Sequence, residues 1–161
     1  MVANPQMKCR KATIADARAI ALVLLSGYNI KTLSEAIAVF KNERKKGHHY
    51  LVAIEEKKIT GIVTWLMHGL PKHQLAELDR IAVLPEYRGR GVAQMLFSAL
   101  IKDAQSHYKG QKSRLRKLYL LTHDDNARAQ KFYEKLGFRH ETTLKDHYYQ
   151  GIAERVYSIF F

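Results

Sequence analysis

The apolar positions in the front half of the chain predict two helices. The first is indicated by residues at the three- and four-residue spacing of one helix face, namely Ala17, Ile20, Val23 and Leu24. Gly27 offers a C-terminal end for this helix. The second helix is predicted to begin at Thr32, because the segment TLSE at residues 32–35 has the capping-box pattern, and to end by Gly47.

Short runs predict strands around these helices. A short strand is predicted at residues 7–13, before the first helix. Residues 49–54 and 59–67 are joined by a turn-length segment, which favours an antiparallel hairpin. A fourth strand candidate spans residues 74–84.

The rear half alternates between helix and strand patterns. Residues 91–107 have the helical spacing of apolar positions, residues 115–121 form a buried strand pattern, and a further helix follows around Phe132. A long helix that crosses between two strands indicates a parallel βαβ unit. The sequence therefore predicts an α/β fold of the α+β type, a mixed sheet with an antiparallel front half, a parallel rear unit and helices on both faces.

Length and charge limit the class of protein. The 161 residues predict a single domain over residues 1–161. A net charge of +12 favours anionic partners, and the basic run at residues 109–117, from Lys109 to Lys117, is the strongest candidate for an anionic docking surface such as RNA. The alternative is a solvated loop, with no partner.

The compartment and assembly are predicted from absences in the sequence. The single cysteine, Cys9, cannot form an intrachain disulfide, and no apolar segment approaches the ~20 residues of a membrane helix. We therefore expect a cytoplasmic protein without a membrane partner, as a monomer or homodimer. The histidines lack a metal-site spacing, so no metal is expected.

A glycine-containing loop, PEYRGRGVA at residues 85–93, follows the strand predicted at residues 74–84 and leads into a helix. Gly89 and Gly91 allow backbone N–H groups to converge, and the helix dipole adds positive character, so the loop predicts a pyrophosphate site. The spacing fits neither the P-loop nor the dinucleotide fingerprint. The alternative is an ordinary turn before a helix.

Two segments of the rear half resemble motifs of one family. The segment RGRGVA at residues 88–93 resembles the R/Q-x-x-G-x-G/A acyl-CoA signature of the GNAT superfamily of N-acetyltransferases. The segment NARAQKFYEKLGF at residues 126–138 is similar to the family's N-x-x-A-x-x-F/L-Y-x-x-x-G-F segment. The resemblance implies a GNAT-like fold and transfer of an acetyl group from acetyl-CoA to a primary amine, by direct attack in a ternary complex.

The resemblance also implies a set of acetyl-CoA contacts. The main chains of Ile81 and Val83 are expected to pair with the pantetheine arm, although both residues also fit ordinary strand core. The pyrophosphate is expected at the backbone amides of Arg88, Gly89, Arg90, Gly91, Val92 and Ala93.

Asn126 and Tyr133 are seven residues apart and so share one helix face. The family resemblance makes Asn126 a CoA contact and Tyr133 a cofactor contact and the acid that protonates the leaving thiolate. Asn126 fits a helix cap equally well, and Tyr133 fits a core aromatic. Glu77 matches the position of the family's general base, often acting through water; Asp79 or no dedicated base are the alternatives.

The sequence defines the acceptor site less well than it defines the predicted cofactor site. Tyr28, Tyr148 and Tyr149 are candidate contacts, with strand aromatics in a hairpin as the alternative for the last two. A small molecule, a protein N-terminus or a lysine all fit as the amine. The competing function is a basic nucleic-acid- or ribosome-binding module that keeps the fold for acyl-CoA regulation or is inactive.

Overall fold

A computed structural model describes residues 6–161 and shows one seven-stranded sheet with four α-helices. The strands are β1 (Lys8–Lys11), β2 (His49–Glu55), β3 (Lys58–His68), β4 (Leu75–Val83), β5 (Lys117–His123), β6 (Arg139–Tyr149) and β7 (Ile152–Phe160). The helices are α1 (Ala17–Gly27), α2 (Leu33–Lys45), α3 (Val92–Gly110) and α4 (Ala127–Lys135). Their order across the sheet is β1-β2-β3-β4-β5-β7-β6, which confirms the predicted mixed fold.

The front helices form where their apolar stripes predicted. Ile20, Val23 and Leu24 of α1 are completely buried. Thr32 caps α2 by accepting a hydrogen bond from the Glu35 amide at 3.0 Å. Within residues 6–161, no helix combines the length and apolarity that crossing a membrane requires.

The sheet is antiparallel except at one pair of strands. β2 and β3 form the predicted hairpin, whose turn places Glu56 and Lys57 at φ values of 48° and 68°. The β4–α3–β5 unit is parallel, as predicted. The strand predicted at residues 115–121 begins two residues later, at Lys117, because the segment before it packs against the β3–β4 connection through the Arg116 amide and the Gln74 carbonyl.

Two hydrophobic cores lie on opposite faces of the sheet. The larger core packs α3 and α4 against one face and includes Trp65, Leu118 and Tyr157. The smaller core packs α1 and α2 against the other face, chiefly on β2, β3 and the end of β4. The second face is therefore covered only in part, so side chains of β4 and β5 stay accessible beside α2.

Two features of β4 shape the centre of the sheet. Its parallel ladder with β5 covers only Leu75 to Glu77, whereas β4 continues to Val83 beside β3 and β5 continues beside β7. The two strands therefore part and leave an opening. In addition, Arg80 opposes Thr64 while Leu78 opposes Trp65, so Asp79 is the extra residue of a β-bulge.

Candidate active site

A cleft of about 590 Å³ opens where β4 and β5 separate. Its walls are the end of β4, the loop that leads into α3, the first turn of α3, and α4. Most of the predicted acetyl-CoA contacts line it together, namely Ile81, Val83, Arg88, Gly89, Gly91, Val92, Ala93, Asn126 and Tyr133. The structure therefore brings two distant segments of the sequence to one cavity.

The glycines of the loop are required by the backbone and not by lack of space. Gly89 and Gly91 have φ values of 76° and 81°, in the left-handed region that other residues rarely adopt. A Cβ at Gly91 would meet nothing nearer than the Gln94 side chain at 3.9 Å. In the part of the chain described, the amides of residues 89–94 have no protein acceptor. These free N–H groups at a helix N-terminus suit an anion.

The two arginines of the loop have different positions. Arg88 lines the cleft, and its Nε donates to the Val83 carbonyl at 3.1 Å. Arg90 points away, because its guanidinium lies 3.6 Å from a Glu55 carboxylate oxygen and over the Tyr87 ring. The side chain of Arg90 thus lies outside the cleft lining, and its cofactor role stays a prediction for its backbone amide alone.

Tyr28, from the segment between α1 and α2, reaches the open edge of β4. The Ile81 amide donates to the Tyr28 hydroxyl oxygen at 2.8 Å, and the hydroxyl donates to the Ile81 carbonyl at 3.2 Å. Burial raises the pKa of Tyr28 well above its usual value, and the nearby Tyr133 adds to the rise. The structure places Tyr28 on the main-chain groups predicted to bind pantetheine, at the cofactor side of β4.

Asn126 and Tyr133 present different chemistry on α4. Asn126 caps the helix, since its Oδ1 accepts a hydrogen bond from the Ala129 amide at 3.1 Å. Tyr133 is 9% exposed and packs against Phe138, and burial raises its pKa to about 12. No partner for its hydroxyl lies among residues 6–161. The phenol is therefore a neutral, available donor at the cleft.

Glu77 lies on the α2 face of the sheet, outside the cleft lining, in a cluster that spans three strands. One carboxylate oxygen of Glu77 is 2.6 Å from His68 Nε2 and accepts from the Tyr119 hydroxyl at 3.2 Å. Burial and the Glu77 charge both raise the pKa of Tyr119. His68 is the more exposed partner, with 38% of its side chain accessible, so it connects Glu77 to solvent.

Asp79, at the bulge, belongs to a second cluster with α2. Its carboxylate lies 3.6 Å from His48 Nε2 and 3.8 Å from Arg80 Nε, and Arg80 also binds Glu43 at 2.9 Å. Burial raises the pKa of Asp79, with further rises from Glu43 and Glu77 and an opposing effect from Arg80.

The second cluster also raises the question of a metal. Ligand atoms of Glu43, His48 and Asp79 lie within 4.8 Å of one another. The Arg80 guanidinium binds Glu43, whose other carboxylate oxygen accepts from the Tyr50 hydroxyl. The arrangement therefore fits an ion-pair network better than a cation site.

The tyrosines of the last hairpin diverge. Tyr148 is 58% exposed but close enough to Glu77 and Asp79 that their charges, after burial, raise its pKa. The Tyr149 ring lies 6.2 Å from the His123 ring. Tyr149 therefore lies near His123, whereas the charges of Glu77 and Asp79 act on Tyr148.

Sequence reasoning missed several members of these clusters. His68, Tyr119, Glu43 and Tyr50 come from four different elements. No spacing joins them, because only the sheet register and the packing of α2 bring them to β4. The bulge at Asp79 has no signal either, since the segment around it reads as a regular strand.

Comparisons with known proteins agree with this geometry. The family model described as acetyltransferase (GNAT) family matches residues 18–138. N-acetylaspartate synthetase of Xenopus tropicalis is 31% identical over 111 residues, which cover 68% of this chain and 38% of that protein. The chain thus spans well under half the length of this relative.

Two further relatives match almost end to end. An N-alpha-acetyltransferase of Saccharolobus solfataricus is 29% identical over 157 residues, covering 89% of this chain and 90% of that protein. The crystal structure of an N-acetyltransferase from Staphylococcus aureus Mu50 superimposes with a TM-score of 0.71 at 21% identity, covering 96% of this chain and 98% of that one. The last comparison shows a shared fold.

Proposed function

Since the chain belongs to the acetyltransferase (GNAT) family, we propose that it moves the acetyl group of acetyl-CoA to a primary amine by direct attack in a ternary complex. One observation carries the proposal. A single cleft joins amides of the glycine loop and of the start of α3 to the Tyr133 hydroxyl, and these groups have no protein partner among residues 6–161. The cleft therefore combines an anion site with a proton donor. Acetyl-CoA supplies the activated thioester when it is bound there.

The chain's own residues fit both ends of the cosubstrate. The amides of residues 89–94 offer donors to a pyrophosphate at the N-terminus of the 19-residue helix α3. Ile81 and Val83 offer the amide-containing arm a strand edge that β5 does not cover, where side chains of Tyr28 and Arg88 bind the main chain instead. The Tyr28 hydroxyl now satisfies Ile81, so an arm that pairs with Ile81 takes over hydrogen bonds that the protein already makes.

Tyr133 is the proposed general acid. Its pKa of about 12 keeps the hydroxyl protonated throughout the physiological range, so it can donate to the departing thiolate. Burial against Phe132 and Phe138 fixes the ring, which leaves the hydroxyl as its only polar atom at the cleft.

Glu77 is the proposed general base, acting directly or through water. Its carboxylate can take a proton from the substrate ammonium, and the adjacent His68 leads from that carboxylate to solvent. Asp79 stays the alternative, because it lies beside Glu77 and its raised pKa favours proton uptake.

The proposed acceptor reaches the reaction as an ammonium ion from the α2 side of β4. Three carboxylates, Glu43, Glu77 and Asp79, surround that side, against one permanent cation, Arg80. This local anionic site attracts an amine although the whole chain carries +12. Two relatives are named as an N-alpha-acetyltransferase and an N-acetylaspartate synthetase. These names support α-amino groups, of peptides and of amino acids, as the first acceptors to test.

The decisive assay follows free thiol release from acetyl-CoA across a panel of amino acids, peptides with free N-termini, peptides with a lysine only, polyamines and amino sugars. A thermal-shift control precedes it, because a ligand of the native state raises the melting temperature by mass action. We expect a rise with acetyl-CoA and little with ATP or NAD. No rise at saturating acetyl-CoA, or no turnover with any amine, contradicts the proposal.

A further inference from the structure

The end of the sheet opposite the cleft carries a dense group of basic side chains. We call it the basal patch; its members are Lys72, Lys109, Lys112, Arg114, Arg116 and Lys117. The β3–β4 connection is held against the segment before β5 by a hydrogen bond from Ser113 Oγ to the Pro71 carbonyl at 2.8 Å. Residues far apart in sequence therefore form one surface.

Most of these cations lack an acidic neighbour. Lys72, Lys109 and Lys112 are exposed and make no ion pair with any residue between 6 and 161. Lys117 has a carboxylate side-chain partner, Glu141, at 2.8 Å. Ion pairs elsewhere on the surface include Arg10 with Asp16 and Arg155 with Asp124. The basal patch thus concentrates charge that is not balanced within the chain.

The two arginines of the patch are held in place by backbone oxygens. Arg114 donates to the Phe161 oxygen at 3.4 Å and Arg116 donates to the His73 carbonyl at 3.1 Å. Each guanidinium has five N–H donors, so most of them stay free. An arginine that is positioned in advance binds phosphate oxygens with less loss of side-chain freedom.

An exposed aromatic ring lies among the cations. Phe160, opposite Lys117 in the β5–β7 ladder, is 61% exposed, and the Lys117 ammonium lies 5.3 Å from its ring centre. An open ring beside cations is a combination by which proteins hold single-stranded nucleic acid, with bases stacked on the ring and phosphates at the cations.

We propose that the basal patch binds single-stranded nucleic acid, with phosphates at Lys109, Lys112 and Arg114 and a base on Phe160. RNA and DNA share this chemistry, so both are tested. The patch lies at the start of β5, at the other end of the sheet from the glycine loop after β4. Nucleic acid can therefore bind without entering the cleft, and the proposal does not depend on the acetyl-transfer reaction.

The test measures fluorescence anisotropy of labelled 20-nucleotide oligouridine and oligothymidine at several salt concentrations. The patch variant carries Lys109→Glu, Lys112→Glu and Arg114→Glu. The matched control carries Lys8→Glu, Lys31→Glu and Lys57→Glu, exposed cations toward the end of the sheet that holds the cleft. Both variants lower the net charge from +12 to +6, so the comparison isolates position from total charge.

We expect the patch variant to bind at least thirtyfold more weakly and its salt slope to fall by about two, whereas the control changes binding less than threefold. Phe160→Ala should weaken binding about five- to hundredfold without changing the salt slope. Thermal melts check that each variant folds. Equal losses in both triple variants would show attraction to net charge alone and overturn the proposal.

A second arm offers vesicles containing anionic phospholipid instead of the oligonucleotides. Patch-dependent binding to vesicles without patch-dependent binding to either oligonucleotide also overturns the proposal. A preference for oligouridine over oligothymidine identifies RNA, and not DNA, as the nucleic acid that the basal patch binds. Acetylation of a small amine should be unchanged in the patch variant, as its substitutions lie outside the cleft.

Discussion

The proposed cofactor side and the proposed acceptor side of β4 are built in different ways. On the cofactor side, the binding groups are mainly backbone amides of one short loop and the edge of one strand, supplemented by Tyr133. On the acceptor side, they are side chains from α2, β2, β3, β4 and β5, such as His68, Glu77 and Tyr119. The cofactor side depends on backbone conformation, and the acceptor side depends on which strands lie next to each other.

This difference predicts that the proposed acceptor side tolerates substitution more easily than the proposed cofactor side. Replacing a side chain changes an acceptor contact without disturbing an amide, whereas the amides require left-handed glycines and a helix start in one fixed order. One binding site for a constant cosubstrate can thus serve different acceptors. The following experiments test whether the two sides are separable.

The largest effect is expected from Tyr133→Phe. Removal of the hydroxyl keeps the ring packed against Phe138 but removes the proposed proton donor. We expect kcat to fall about 10²–10⁴-fold with the acetyl-CoA dissociation constant nearly unchanged. Calorimetric binding and steady-state kinetics measure the two quantities separately.

Tyr108→Phe is the matched control for that substitution. Tyr108 is also buried, with a pKa of about 12, but its hydroxyl donates to the Leu75 carbonyl, remote from the loop. It should lose some stability, about 1 kcal/mol for one buried hydrogen bond, with turnover retained. Equal turnover losses in both variants would show that Tyr133 acts through packing.

Gly91→Glu should act on the cofactor side alone. The carboxylate would lie beside the loop amides that are proposed to bind pyrophosphate, so we expect acetyl-CoA to bind about a hundredfold more weakly by charge repulsion. Gly91→Ala separates this effect from backbone strain, since an alanine at φ 81° costs about 1–2 kcal/mol without adding charge. If alanine weakens binding as much as glutamate does, the anion site is not at this loop.

The fold and the cofactor side could be predicted largely from local patterns. The helices at Ile20 and Phe40 and the parallel crossover follow from apolar spacing and element order, both properties of contiguous segments. The glycine loop could be predicted for the same reason, because the residues that allow its backbone conformation are contiguous in the sequence. The direction of the Arg90 side chain depends on Glu55, 35 positions earlier, so local sequence patterns could not predict it.

The acceptor side could not be assembled from the sequence. The contact between His68 and Glu77 depends on the β3–β4 register, which the bulge at Asp79 shifts by one residue. Tyr119 joins them only because β5 pairs with the first three residues of β4. Even the pairing of Glu77 with Asp79 as alternative bases assumed a regular strand.

On the acceptor side, Glu77→Gln tests the proposed base. It keeps the side-chain shape, so acetyl-CoA affinity should hold while kcat falls about 10²-fold near neutral pH. Activity should recover partly at alkaline pH, where the amine is already neutral. If Glu77 only holds the substrate cation, KM rises and kcat stays constant while the amine is charged.

Asp79→Asn is the paired substitution. Burial raises the Asp79 pKa in the folded state above its unfolded value, so protonation stabilises the fold at low pH and this contribution is lost as pH rises through the folded pKa. Asparagine removes the charged form, and we expect a higher free energy of unfolding than wild type near pH 7, with the gap closing in acid. Turnover lost here, but kept in Glu77→Gln, would make Asp79 the base.

The smallest effect is expected from His68→Gln, which changes the path from Glu77 to solvent and not the base itself. His68 Nε2 is 2.6 Å from the Glu77 carboxylate, and 38% of the His68 side chain is accessible to solvent. His68 can therefore position Glu77 and pass its proton to water. We expect kcat to fall about three- to tenfold and the pH dependence of kcat to change shape, because glutamine can hold the carboxylate but cannot carry a proton. His73→Gln, on the β3–β4 connection, is the control and should leave the profile as it is. His68→Ala should regain activity when imidazole is added, which a purely structural contact would not allow. An unaltered pH profile together with no response to imidazole would show that His68 only packs against Glu77. Water would then take the proton from Glu77 directly.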